Sequence, residues 1–189
     1  MVTTVLVYFV GFTDPVEAKG KEEKGSGQPD VAPAMKKTAT LVSPLKGNIV
    51  PLETVNDESF SQKLLGDGVA IKPTEGIVRA PCDAVISSVI ETKHAVGMTC
   101  ENGAEVLIHV GLDTVQLKGK YFESLVKLDQ KVKAGEPLIQ FDLESITAAG
   151  YDTTTPFIVM NSDEYKFDLL GQDAEDEQIE IGQPVIQMA

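Results

Sequence analysis

The chain has 189 residues, 42% of them hydrophobic and 6% aromatic, no tryptophan, and a formal net charge of −13. That length accommodates one well-buried domain plus a tail, and the scarcity of aromatics means a core of Val, Ile and Leu. So acidic a chain would repel nucleic-acid phosphates instead of neutralising them, which excludes nucleic acid as a partner.

The first element is the apolar run VTTVLVYFVGF, Val2 to Phe12. Crossing a hydrocarbon core takes about 20 residues, so this run is too short to span, and it lacks the basic residues that open a secretory signal. Residues 14–37 carry charges, Gly, Pro and Ser but no aromatic residue, the composition of a flexible linker.

From Thr38 the signals become short and β-like. TATLVS, GNIVPL, GVAIKP, GIVRAP, AVISSVI, AEVLIHV, PLIQFD and PFIVM are strand-length runs rich in β-branched residues. Pro44, Gly47, Pro73, Gly76, Pro81 and Pro156 punctuate them, and Asn102-Gly103 predicts a hairpin turn. Only short helical turns are expected, around Ser59–Leu65 and Leu143–Ala149. The pattern predicts an all-β fold, an antiparallel β-sandwich or barrel with a few short helical turns. Val42–Val50 (VSPLKGNIV) and Arg79–Ser87 (RAPCDAVIS) share a pattern, a weak internal echo of one strand motif.

Cys82 and Cys100 have no CxxC spacing and are expected as free, buried thiols in a reducing compartment. From Asp163 to Glu180 eight acidic residues face one lysine, which reads as a solvated segment.

The chemistry concentrates between Glu91 and Phe122, which holds both histidines, His94 in ETKHAVGM and His109 in VLIHVGL. A lone histidine on an apolar face is more often a satisfied core residue than a reactive one. Held on a rigid strand at the edge of an apolar surface, however, a ring of ordinary pKa about 6.5 suits a group that accepts and passes on a reactive moiety. No nucleotide site is implied: GxxxxGK[ST] is absent, and Gly66-Asp67-Gly68 reads as a tight turn.

SPLKGNIVPL, FSQKLLGDGVAIKP, ETKHAVGM and above all GAEVLIHVGLDTVQLKGKYF, in this order, resemble the glucose-type enzyme IIA domain of the bacterial phosphoenolpyruvate-dependent sugar phosphotransferase system. The resemblance covers residues 38–189 and implies an antiparallel β-sandwich that relays a phosphoryl group. It places His109 at the family's phospho-acceptor position, His94 at that of the supporting histidine, and Thr92 at that of the hydroxyl orienting the second ring. The donor it implies is the phosphohistidine of the small carrier HPr, and the acceptor is a cysteine of a IIB domain. Phe60, Leu64 and Leu65, with Val96 and Leu107 nearby, match the apolar rim that docks partners. Asp57 and Asp113 match acidic residues flanking the site, although Asp113 reads equally well as a turn or helix cap. Glu58 and Ser59 depart from the pair of valines on the enteric glucose protein's partner-binding face.

No cofactor is expected. Some members of that family share a zinc ion between the two histidines and a partner's carboxylate, but two ligands fall short of a structural zinc site, and no resident metal is expected. Residues 1–13 resemble the end of a membrane-embedded IIC domain, so the chain is read as the C-terminal piece of a β-glucoside- or sucrose-type fused permease. A IIA domain so placed would be cytoplasmic and tethered to the inner face of the membrane. The alternative is a regulatory binding module, such as the tail of a sugar symporter or an inducer-exclusion regulator.

Overall fold

Runs of Val and Ile too short to form helices bury their side chains by pairing edge to edge. They do so throughout residues 38–171 and 178–189, which the computed structural model describes; the apolar run 1–13 and the linker 14–37 lie outside the described residues. In chain order the elements are β1 (Ala39–Val42), β2 (Gly47–Pro51), α1 (Glu58–Ser61), β3 (Asp67–Pro73), β4 (Ile77–Arg79), β5 (Ala84–Val89), β6 (Ala95–Cys100) and β7 (Glu105–His109). There follow β8 (Phe122–Ser124), β9 (Lys131–Val132), β10 (Pro137–Phe141), α2 (Leu143–Ala148), β11 (Thr155–Val159), β12 (Phe167–Leu169), β13 (Gln178–Ile179) and β14 (Pro184–Met188). The described pairings are all antiparallel. The all-β expectation holds, and both predicted helical turns are present.

The large sheet runs β13-β2-β3-β11-β7-β6-β5-β9, and two smaller sheets run β1-β14-β12 and β4-β10-β8. This order is symmetric about the central β11–β7 pair. Outward from it, β3, β2 and β13 on one side answer β6, β5 and β9 on the other. The sequence echo lies on the same symmetry. Val42 N–H donates to the Pro81 carbonyl and Arg79 N–H to the Pro44 carbonyl, the same two positions of each copy exchanged. A second echo joins it: Gly182 N–H donates to Ser43 and Gly135 N–H to Ala80, from the related stretches GQPVIQ and GEPLIQ. The domain is thus two interlocked copies of one β motif.

The central strands are buried on both faces, which is why AEVLIHV and PFIVM read as near-continuous apolar runs. Alternate residues feed two clusters. Val69, Ile71, Val106, Ile108, Phe157 and Val159 enter the main core. Ala70 and Ile158 enter a smaller one with Leu52, Phe60 and Leu112, against which Leu107 packs. The segment read as solvated contributes β12 and β13, since pairing with β14 and β2 overrides its charge; residues 172–177 within it lie outside the described residues.

Cys82 and Cys100 correct their expectation: they form a disulfide, with 6.4 Å between their Cα atoms. Strand pairing brings them together. Ala84 faces Cys100 in the β5–β6 register, so Cys82, just ahead of β5, arrives over the end of β6. Sequence spacing carries no mark of such a meeting. Because the bond removes freedom from the unfolded chain, replacing both cysteines by serine should leave the fold intact and lower Tm by about 5 °C. Melting the wild type with and without dithiothreitol should reproduce that shift, and the double variant should not respond to the reductant.

Candidate phosphoryl-relay site

β6 and β7 pair so that Ala95 faces His109, and Val110 N–H donates to the His94 carbonyl over 2.7 Å. His94 is thereby set at the start of one strand beside the end of its neighbour. The β7–β11 ladder stops after Ile108–Phe157. One residue further the register would oppose His109 to Pro156, which has no N–H to donate. β7 therefore ends on the histidine, and the chain turns away through Gly111.

The two rings lie 4.6 Å apart between centroids at an interplanar angle of 84°. Each is backed by a phenyl from a different core: Phe60 lies 5.3 Å from His109, and Phe122 lies 6.4 Å from His94. His109 Nδ1 lies 2.8 Å from the Gly111 carbonyl oxygen. A carbonyl can only accept, so Nδ1 carries the proton and the Nε2 lone pair is left free. His94 Nδ1 lies 2.7 Å from the Thr92 hydroxyl, which can either give or accept.

Burial keeps both rings neutral. Desolvation, reinforced by repulsion from His109, pushes His94 down to about 4. His109 is also lowered by desolvation, against the opposing pull of the Gly111 hydrogen bond and the carboxylates of Asp57 and Asp113. Those two acids therefore sit close enough to be felt at the ring. Asp57 is tied down as the N-cap of α1, its Oδ1 accepting from Ser59 N–H at 2.8 Å. Asp113 occupies the corresponding place before the turn Thr114–Leu117, in a left-handed conformation, but its side chain makes no capping bond. Its carboxylate is exposed instead.

Leu64 and Leu65 are 70% and 44% exposed, as a docking rim requires. Val96 is not: only 1% exposed, it belongs to the main core and offers a partner no surface, because the parity of β6 turns it inward with Met98. Phe60 is buried and reaches the site as the ring behind His109, and Leu107 is half-buried on the smaller core. Sequence reasoning missed one contributor. The Gly111 carbonyl is a backbone group that residue type does not reveal. Among the described residues no group of three or more His, Cys, Asp or Glu is placed to hold a metal ion.

Residues 39–165 match the family model described as phosphoenolpyruvate-dependent sugar phosphotransferase system, EIIA 1. The chain belongs to this family. It is 44% identical over 164 residues to the PTS system beta-glucoside-specific EIIBCA component of Bacillus subtilis (strain 168), covering 87% of this chain and 26% of that protein. It is 48% identical over 124 residues to the PTS system glucose-specific EIIA component of Bacillus anthracis, covering 66% of this chain and 75% of that protein. Among solved structures, glucose permease IIA from Mycoplasma capricolum matches with a TM-score of 0.72 at 36% identity, over 80% of this chain and 96% of the other. The chain thus spans about a quarter of the fused relative and three-quarters of the glucose-specific one. The antiparallel β fold of this EIIA family is the fold that the strand pattern predicted.

A histidine whose folded pKa lies below its unfolded value near 6.5 binds its proton more readily once unfolded. The stability gained from keeping His94 neutral is therefore fully present above about pH 6.5 and is lost as the pH falls towards 4. Equilibrium denaturation between pH 4 and 7 should show that decline, and His94→Gln should make it shallower, leaving the part that His109 contributes.

Proposed function

We propose that the chain is a phosphoryl carrier in which His109 Nε2 takes a phosphoryl group from phospho-HPr and passes it to a IIB cysteine. The observation that carries this reading is the Nδ1–H bond to Gly111, which leaves Nε2 as a nucleophile on a ring kept neutral. In the first transfer the donor's N–P bond breaks as the Nε2–P bond forms, and the donor imidazole recovers the electron pair. In the second, the thiolate of IIB attacks phosphorus and Nε2 leaves with its lone pair restored. No proton need move at Nε2.

His94 supplies the stabilising donor. With the Thr92 hydroxyl donating to Nδ1, the ring's proton sits on Nε2 and can bond a phosphoryl oxygen. A neutral donor suits a relay, since a fixed cation would hold the dianionic group too tightly to release it. Asp57 and Asp113 act in the same sense: their charges oppose a retained phosphoryl group while attracting basic residues of a docking partner. Leu64 and Leu65 supply apolar contact that excludes water from the transfer.

The match to a fused EIIBCA component over most of the chain supports reading it as the C-terminal part of a fused permease. The IIB acceptor would then lie on the same polypeptide, and the IIA domain would work at the inner face of the membrane. Selection of the sugar would rest with the membrane domain.

Intact-mass measurement after incubation with phosphoenolpyruvate, enzyme I and HPr tests the proposal. Wild type should gain one acid-labile phosphate, and His109→Ala none. His94→Ala should still accept it but deliver it to IIB about 100-fold more slowly, the usual cost of losing a transition-state donor. A wild type that takes no phosphate from a competent carrier would overturn the relay and favour a regulatory binding module.

A further inference from the structure

The Gly111 carbonyl fixes the His109 tautomer, yet it belongs to a loop, and a loop carbonyl can rotate away from the ring it is meant to hold. Two peptide planes in succession are clamped against that rotation. The peptide joining Gly111 to Leu112 accepts from His109 Nδ1 at one end. At its other end Leu112 N–H donates to the Asp152 carbonyl over 2.8 Å. The preceding peptide is held by Thr114, whose Oγ1 donates to the Val110 carbonyl over 2.6 Å. Thr114 is fully buried, so no water competes for that bond.

Space enforces the same arrangement. Gly111 has φ +75°, and a Cβ there would meet the Thr114 methyl at 2.6 Å and the Asp152 carbonyl oxygen at 2.8 Å. Thr114 and the Asp152 backbone therefore close on Gly111 from two sides and admit only glycine. Asp152 is itself steadied, its Oδ1 accepting from Thr154 N–H at 2.8 Å.

The geometry points to Thr114 and Asp152 as positioning residues that hold His109 in the Nδ1–H tautomer through the Gly111 peptide. The bonds Nδ1–H to Gly111 C=O and Leu112 N–H to Asp152 C=O run in series through one amide, so each polarises the other and strengthens both. Thr114 locks the neighbouring plane and keeps that amide in line with the ring. With the clamp loosened, the carbonyl turns, the proton is free to move to Nε2, and the lone pair is lost from the atom that faces a donor. Thr114 thus controls a nucleophile it does not touch, and this role rests on the reading of His109 Nε2 as the acceptor.

The test separates the clamp from the relay. Long-range 1H–15N NMR of the unphosphorylated protein reads the His109 tautomer directly, and phospho-HPr kinetics read its consequence. Wild type should show Nδ1–H. Thr114→Val, which removes the hydroxyl but keeps the branched shape, should populate Nε2–H and slow phosphorylation about tenfold, the low end of what losing an outer hydrogen-bond partner costs at metal-bound histidines. Thr114→Ser should restore both. Asp152 is exposed, so Asp152→Ala should fold in any case, and it should move tautomer and rate in the same direction by a smaller factor. If Thr114→Val keeps the wild-type tautomer and rate, the clamp is wrong. Should Thr114→Val fail to fold, Thr114→Ala, which removes the same hydroxyl without adding a buried methyl, decides in its place. A wild type that shows Nδ1–H but takes no phosphate would instead sink the acceptor reading.

Discussion

The register of β6 on β7 is the constraint on which the site depends. With Ala95 opposite His109, the last residue of one strand and the residue before the other come within ring contact. A slip of one residue would send the His109 side chain to the opposite face, away from Phe60, and would separate its ring from His94. Nothing in the two histidines themselves enforces that alignment. It is enforced by Val106 and Ile108, which must enter the main core together with Val96 and Met98.

Two cores meet at this point, and their meeting sets the electrostatics. Phe60 closes the smaller core behind His109, and Phe122 closes the main one behind His94. Both rings are desolvated from behind, His109 remaining half-buried and His94 only 3% exposed. Removal of water holds both neutral, and two acids at the rim temper the effect at His109. Two neutral rings of one residue type thereby stand side by side. What distinguishes them is the partner of Nδ1, a carbonyl for His109 and a hydroxyl for His94.

The internal two-fold arrangement ties the two copies of the motif to each other. Each copy fills gaps in the other: the Val42 and Arg79 amides bond across to Pro81 and Pro44, and the sheets pair outward from a shared centre. The histidines break the symmetry. His109 ends β7, whereas its counterpart strand β11 runs through the apolar PFIVM, so both histidines stand on one copy of the motif.

Much of this was legible in the chain itself. Runs such as AEVLIHV and PFIVM announced strands because β-branched residues closed by turn formers have little other stable conformation. AVGMTC was less visible, since Gly97 interrupts it, and the two- and three-residue strands β8, β9, β12 and β13 lie below any periodic signal. Val96 and Leu64 look alike as letters, yet one is core and the other rim, because burial depends on which neighbour covers a face.

Sequence by itself determined the β class, the turns and the two histidines as the residues of titratable ring chemistry, since these follow from local propensity and residue type. Only the tertiary structure decided which nitrogen of His109 is free, that Cys82 meets Cys100, and that Gly111 is gripped by Thr114 and Asp152. Each of these is a contact between groups brought together by strand pairing or loop packing, and its distance is set by the packing of the whole sandwich.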